Sequence, residues 1–273
     1  MTNSPAIEPR MTTGQAMQNS IFCWRCMSIL IVLWPASHSA AEEADLSRTF
    51  SIVAADPETG VCGAAVASKY PAVGAVVPFV RAGVGAFCTQ HMHHPQWGKR
   101  ALDLLEDGKQ PADVLAELTR DDQGAGLRQL ALIDRRGHTA NQNPWQATGA
   151  SLWWGSMSGR YYACQGNTLA GRQVITDMAA AYESTMGSLA DRLMAALVAG
   201  DAAGGDHRGR LAAAILVARP ATEGVWLDVR IDKSDDAVLD LARQYLTIDH
   251  EAKGAWSQGE FPWRHKPNKP TPQ

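Results

Sequence analysis

The stretch from Thr49 to Ser68, TFSIVAADPETGVCGAAVAS, constrains the fold of this 273-residue chain more than any other. Thr49, Ser51 and Val53 alternate with Phe50, Ile52 and Ala54, which is the two-residue period of a strand with two different faces. Asp56-Pro57-Glu58-Thr59-Gly60 follows with turn chemistry: Asp can bond its own backbone, Pro presets φ, and Gly accepts positive φ. Val61 to Ala67 then resumes as a small, apolar strand. Two strands joined by so short a turn pair with each other. The sequence therefore predicts Thr49–Asp56 and Val61–Ser68 as antiparallel neighbours in a central sheet.

Further along, Tyr70 to Gly74 breaks the pattern, and Ala75–Val80 and Val84–Cys88 read as strands. Gly98–Asp107 switches to helical spacing, with Ala101, Leu104 and Leu105 on one face. Pro111 opens a second helix, where its missing N–H costs nothing. Leu127–Asp134 is a strand. Thr139–Gly159, with Pro144, Trp145, Trp153 and Trp154, carries no regular period and reads as irregular. Tyr161–Gln165 reads as a strand. Gln173–Thr185 and Leu189–Val198 read as helices covering one face of the sheet, the second capped by Ser188 with Asp191 and ending before Gly200. Leu211–Val217 and Val225–Ile231 are strands, and Asp235–Tyr245 is an amphipathic helix. Strands arrive in clusters, which favours an α+β fold with largely antiparallel sheets over a doubly wound parallel sheet.

A hydrophobic fraction of 45% against 19% charged supplies a sizeable core and argues against wholesale disorder. The net charge of −3, with no basic stripe, excludes a nucleic-acid footprint. Ahead of the hairpin, Arg25, the apolar run Met27–Trp34 and small residues up to Ala41 form a secretory pattern. The run is too short for a membrane span. Residues 1–41 are thus expected to be a signal peptide, or else an uncleaved anchor, giving a periplasmic or secreted protein. Residues 42–48 form a short lead segment, 49–250 the domain, and 251–273, with Lys266-Pro267-Asn268-Lys269-Pro270, a disordered polar tail. Of five cysteines, Cys23 and Cys26 go with the leader, and Cys62, Cys88 and Cys164 lie in apolar runs as expected for buried free thiols.

Several signatures of chemistry are absent. Gly83-Val84-Gly85 lacks the third glycine of a dinucleotide loop, and Gly155-Ser156-Met157-Ser158-Gly159 has Met where a nucleophile elbow has Ser. No cofactor is called for. His91, His93 and His94 invite a metal reading in which His91 and His93 share a face; without a third ligand, a surface loop rich in His and Pro is preferred. Gly204-Gly205-Asp206-His207-Arg208-Gly209 reads equally as a glycine turn or as an Asp–Arg pair that orients a substrate carboxylate or a catalytic amine. Gln165-Gly166-Asn167 reads either as a turn closed by Asn or as an oxyanion site.

The string FSIVAADPETGVCGAAVASKYPAVGAVVPFVRAGVGAFCTQ, followed in order by RQLALID, QGNTLAG and AGGDHRGR, resembles the bacterial family called domain of unknown function 1028. The resemblance runs from about Thr49 to Val229. It implies the Ntn-hydrolase fold, a four-layer αββα sandwich in which the first-strand Thr, Ser or Cys becomes the N-terminal residue and its own α-amine is the base for amide hydrolysis. Carried onto this chain, it implies Thr49 as nucleophile, Lys69 or Arg208 tuning the amine beside Asp206, and Asn167 as oxyanion donor, with Ser51, Gln90 and Gln165 lining the substrate site. The partner it implies is a small-molecule amide or amino-acid derivative; self-association into a homo-oligomer is left open. Because Arg48 precedes Thr49, a free amine requires a cut between them. The competing reading keeps the fold as a non-catalytic ligand-binding protein of the cell envelope.

Overall fold

A computed structural model of the chain describes residues 47–147 and 153–248. The expected leader, most of the lead segment and the polar tail lie outside the described residues.

The opening hairpin forms as the sequence predicts. β1 (Thr49–Ala55) pairs antiparallel with β2 (Cys62–Ser68), Thr49 opposite Ser68 and Ala55 opposite Cys62. Asp56 closes the turn by accepting from Glu58 N at 3.0 Å and Thr59 Oγ1 at 2.7 Å, and Gly60 sits at φ +72°. Next come β3 (Pro78–Arg81), β4 (Gly85–His91), helices α1 (Trp97–Glu106) and α2 (Pro111–Thr119), then β5 (Arg128–Asp134) and β6 (Thr139–Gln142). The remainder is β7 (Gly155–Gly159), β8 (Tyr162–Gly166), α3 (Gln173–Ser184), α4 (Leu189–Ala202), β9 (Ala212–Ala218), β10 (Leu227–Ile231) and α5 (Ala237–Thr247). One sheet runs β10-β9-β2-β1-β8-β7 and the other β3-β4-β5-β6, and every neighbouring pair is antiparallel.

The two sheets face each other, with β1 against β4 and β5. The alternation along β1 decides which residue goes where. Phe50, Ile52 and Ala54 point to the outer face of the six-stranded sheet, under Val174, Met178, Leu193, Leu197 and Leu241 of α3, α4 and α5. Val53 and Ala55 point inward to Ala86, Cys88, Ala131 and Ile133 of the facing sheet. The other sheet turns Phe87, Leu130 and Leu132 outward onto Leu102, Leu105, Val114 and Leu118 of α1 and α2. Side chains between the sheets are small, mostly Ala, Val and Cys, while the bulky ones lie under the helices. Burying each large side chain contributes about 1.5–3 kcal/mol, so most of the hydrophobic stabilisation comes from the two outer layers.

Three expectations are corrected. The irregular stretch Thr139–Gly159 contains two strands, β6 and β7; both are sheet edges and lack the apolar alternation that marks a half-buried strand. Helix α4 does not end before Gly200 but runs through it to Ala202. A Cβ at Gly200 would come within 2.6 Å of Met178 Cγ and 3.2 Å of Phe50 Cε2, so this glycine lets two helices and a strand approach rather than stopping a helix. The start of the expected strand at Ala75 is instead a 3-10 turn, Val73–Ala75. The capping box forms as expected, with Ser188 Oγ accepting from Asp191 N and the Asp191 carboxylate accepting from Ser188 N at 2.9 Å.

Candidate functional site

At one end of the layer between the sheets, apolar residues give way to polar ones in strict register. The two-residue period carries β1 from Val53 to Ser51 and Thr49, and β2 from Val66 to Ser68. It carries β4 from Cys88 to Gln90, β5 from Ala131 to Gln129, and β8 from Ala163 to Gln165 and Asn167 just beyond it. Five strands therefore deliver Thr49, Ser51, Ser68, Gln90, Gln129, Gln165 and Asn167 to one place, and all seven are fully buried. An amide left unpaired there would cost about 1–3 kcal/mol, so the hydrogen bonds decide whether the cluster is tolerable.

They are numerous. Thr49 Oγ1 donates to Ser68 Oγ at 3.1 Å, and Ser68 Oγ donates to the Arg48 carbonyl at 2.7 Å while accepting from Tyr70 N at 2.9 Å. That fills the one donor and two acceptor positions of the serine hydroxyl. The Thr49 carbonyl accepts from Asn167 N at 2.9 Å and Gln90 Nε2 at 3.2 Å. Gln90 Oε1 accepts from Ser51 Oγ at 2.6 Å, bonding the two sheets across the layer. Gln129 is the hub: its Oε1 accepts from Gln90 Nε2 at 2.8 Å and Asn167 Nδ2 at 2.9 Å, and its Nε2 donates to Gly166 O at 2.8 Å and Asn143 Oδ1 at 2.9 Å. Gln165 Nε2 reaches Ser51 Oγ at 3.4 Å, and Gln165 Oε1 has no donor among the described residues.

A second group adjoins this one through β2. Asp206 is fully buried in the turn after α4. Its Oδ2 accepts from Lys69 N at 3.2 Å and from the Arg208 guanidinium at 2.7 Å; its Oδ1 accepts from Arg208 N at 3.0 Å and Nε at 3.1 Å. Leu211 N donates to Ser68 O at 2.7 Å, so the glycine turn is tied to the residue that holds Thr49. The structure thus brings Thr49, Ser51, Gln90, Gln165 and Asn167 into one cluster, with Asp206 and Arg208 joined to its edge. Lys69 contributes its backbone N–H to that edge while its side chain is exposed.

The histidine reading is corrected. His91 is not in a surface loop: it ends β4 opposite Arg128, is 2% exposed, and sits at φ +61°. Its Nδ1 lies 2.6 Å from the Leu127 carbonyl, and the left-handed backbone breaks the extended run on which His91 and His93 would share a face. Burial, reinforced by the Arg48 charge and opposed by the Leu127 bond, holds the ring below its usual pKa. Among the described residues no group of three or more His, Cys, Asp or Glu could hold a metal ion.

Two members of the cluster escaped the sequence reading. Ser68 was legible in principle, because a tight hairpin that starts at Thr49 must return opposite it. Gln129 shows only as one polar residue in the run Arg128–Asp134, RQLALID, a signal shared by many edge-of-core glutamines.

One solved structure of similar shape is that of protein SPO2555 from Silicibacter pomeroyi, also matched to the DUF1028 family model; it is 32% identical, with a TM-score of 0.67, and the match covers 75% of this chain and 92% of that one. No curated protein matches the chain. The model of the family of unknown function DUF1028 matches residues 49–241, from the threonine at the head of β1 to the middle of α5, and the chain belongs to that family.

Proposed function

We propose that the protein is an exported amidohydrolase of Ntn type, in which helices outside two facing antiparallel sheets form the αββα sandwich and Thr49 is the nucleophile. One observation carries the reading: the first residue of the central strand has its hydroxyl and carbonyl held by a fully buried polar network that five strands deliver in register. Fold stability alone does not call for seven polar side chains where the rest of the same layer is apolar, mostly Ala, Val and Cys.

The chemistry runs as follows once the Arg48–Thr49 bond is cut. The Thr49 α-amine takes the hydroxyl proton as Oγ1 attacks the amide carbonyl of the substrate. The resulting ammonium returns the proton to the leaving nitrogen as the C–N bond breaks, leaving an acyl ester on Thr49. Water, deprotonated by the same amine, attacks the ester and releases the acid. Asn167 Nδ2 gives one hydrogen to Gln129 and has a second to offer the oxyanion. Lys69, or Arg208 held in its ion pair with Asp206, tunes the amine, whose ordinary pKa range is about 7.7–8.0. Ser51, Gln90 and Gln165 line the substrate side, and the unmatched Gln165 Oε1 is an acceptor for a substrate N–H.

The test is amide hydrolysis by protein beginning at Thr49, assayed on a library of aminoacyl and acyl amides. Thr49→Ala abolishes turnover with the fold intact by circular dichroism, and Thr49→Ser keeps part of it because hydroxyl and amine survive. Full activity in Thr49→Ala would place the nucleophile elsewhere. No hydrolysis of any library member would favour the binding-protein reading.

A further inference from the structure

Ser47 and Arg48, the two residues before Thr49, are buried rather than held out in solvent. Ser47, fully buried, forms an antiparallel bridge with His91: Ser47 N donates to His91 O at 2.8 Å, His91 N donates to Ser47 O at 2.9 Å, and Ser47 Oγ reaches the same carbonyl at 3.3 Å. Arg48 follows, 8% exposed, with its carbonyl on Ser68 Oγ at 2.7 Å. The chain then crosses to the other sheet and becomes β1. Ser47 and Arg48 therefore run from a bridge at the end of one sheet directly to the hydroxyl in the other.

Among the described residues, the ten strands and five helices begin at or after Thr49 and the buried apolar residues begin at Phe50, so a chain starting at Thr49 keeps these elements. The position that receives the segment is also specialised. His91 adopts a left-handed backbone, which is uncommon for a residue with a Cβ and is the kind of strain that collects where a chain is shaped to bind. The His91 ring, kept neutral by its burial, adds no repulsion to a cation beside it.

We propose that Ser47 and Arg48 lie in the acyl-side binding track of the site, and that the substrate is a peptide-like amide whose acyl half runs extended along it, pairing with His91 and seating an arginine-like side chain where Arg48 sits. This rests on the Thr49 reading and deepens it: the amide substrate belongs to the class of arginyl peptides, and the lead segment stands in for it until the cut. The backbone of such a substrate supplies one N–H and one C=O to His91, as in other strand additions to a sheet end, and the buried position taken by the Arg48 side chain supplies the preference.

The experiment measures binding separately from catalysis. Protein beginning at residue 49 and carrying Thr49→Ala is titrated calorimetrically with three peptides. The first, acetyl-Ala-Asp-Leu-Ser-Arg-amide, has the sequence of residues 44–48. The second has Pro for Ser, which removes the N–H given to His91, and the third has Gly for Arg. The first peptide is expected to bind, the Pro peptide about tenfold more weakly, as the loss of one backbone bond at roughly 1.4 kcal/mol requires, and the Gly peptide at least as weakly as the Pro peptide. Absence of binding by the first peptide, or equal binding of all three, overturns the proposal. If the cut chain does not fold, the same series is titrated against the full chain carrying Ser47→Pro, whose own lead segment can no longer give that N–H to His91; the same order is expected and equal affinities overturn it. Hydrolysis of unrelated amides without peptide binding would sink the track and spare the Thr49 reading, whereas ordered binding without hydrolysis of any amide would do the reverse.

Discussion

Thr49 and Ser51 share a strand face with Val53, yet the three meet different surroundings, because the layer they enter is apolar at one end and a hydrogen-bonded cluster at the other. Cys62 and Cys88 show the apolar end chemically, while Cys164 lies on the opposite face of its sheet, under the helices. Burial pushes the thiols of Cys62 and Cys88 up to about 12 and raises Cys164 as well, so none is a thiolate at neutral pH. In the native protein at pH 8, iodoacetamide should leave these three unmodified and label them only after denaturation, as read by peptide mass mapping; rapid labelling of any one would mean its strand is not closed. At the surface of the four-stranded sheet, Asp122 accepts from Arg128 at 2.5 and 3.0 Å, which holds its carboxyl below the ordinary range. A depressed carboxylate stabilises the fold above its unfolded pKa near 4, and that contribution is lost as pH falls through the folded value. Asp122→Asn should therefore cost roughly 2 kcal/mol in urea melts at pH 7, with the gap to the parent protein narrowing in acid; a gap constant with pH would contradict the assignment. Thr49, Gln90, Gln165 and Asn167 were named as candidate site residues at the level of sequence, whereas Gln129, which joins Gln90 to Asn167, was not, because its role depends on residues from the ends of β4, β6 and β8.

Among the elements, those with a strong period were readable to within a few residues, and the misses have physical causes. β6 (Thr-Ala-Asn-Gln) and β7 (Gly-Ser-Met-Ser-Gly) are half-buried edge strands whose order comes from the neighbour each pairs with and from contacts between them, Asn141 Nδ2 to Ser158 Oγ at 2.7 Å and Asn143 Nδ2 to Ser156 Oγ at 3.1 Å. Such side-chain bonds between two sheet edges leave no periodic trace. Gly200 misled in the opposite sense: a glycine after an apolar helical run reads as a stop, but here it is a contact point inside α4. Gly200→Ala raises helix propensity by up to about 1 kcal/mol and still should destabilise the protein by about 1–3 kcal/mol, since the added methyl meets Met178 and Phe50. A thermal melt decides it: an unchanged or raised midpoint would show that α3 and α4 can move apart freely.

For the molecule as a whole, clustered strands were enough to favour antiparallel sheets over a parallel one, and both sheets are antiparallel throughout. The packing of one sheet against the other left no trace in the strand periods and was expected only from the family resemblance, because it rests on small inward residues spread over six strands. The course of Ser47 and Arg48 was not legible either: the sequence shows them only as residues ahead of a strand, while the structure pairs Ser47 with His91 and holds the Arg48 carbonyl on Ser68, beside the fully buried Thr49. In that state the Thr49 nitrogen is part of an amide and cannot take a proton from its own hydroxyl. Activity by the proposed mechanism, with the Thr49 amine as base, therefore requires a chain that has lost Arg48. The most direct measurement is the intact mass of the amide-hydrolysing fraction purified from its native host. The account predicts that activity co-purifies with a species whose N-terminal residue is Thr49, and that protein retaining Ser47 and Arg48 is inactive. An active species that begins at Glu42 or earlier would contradict it.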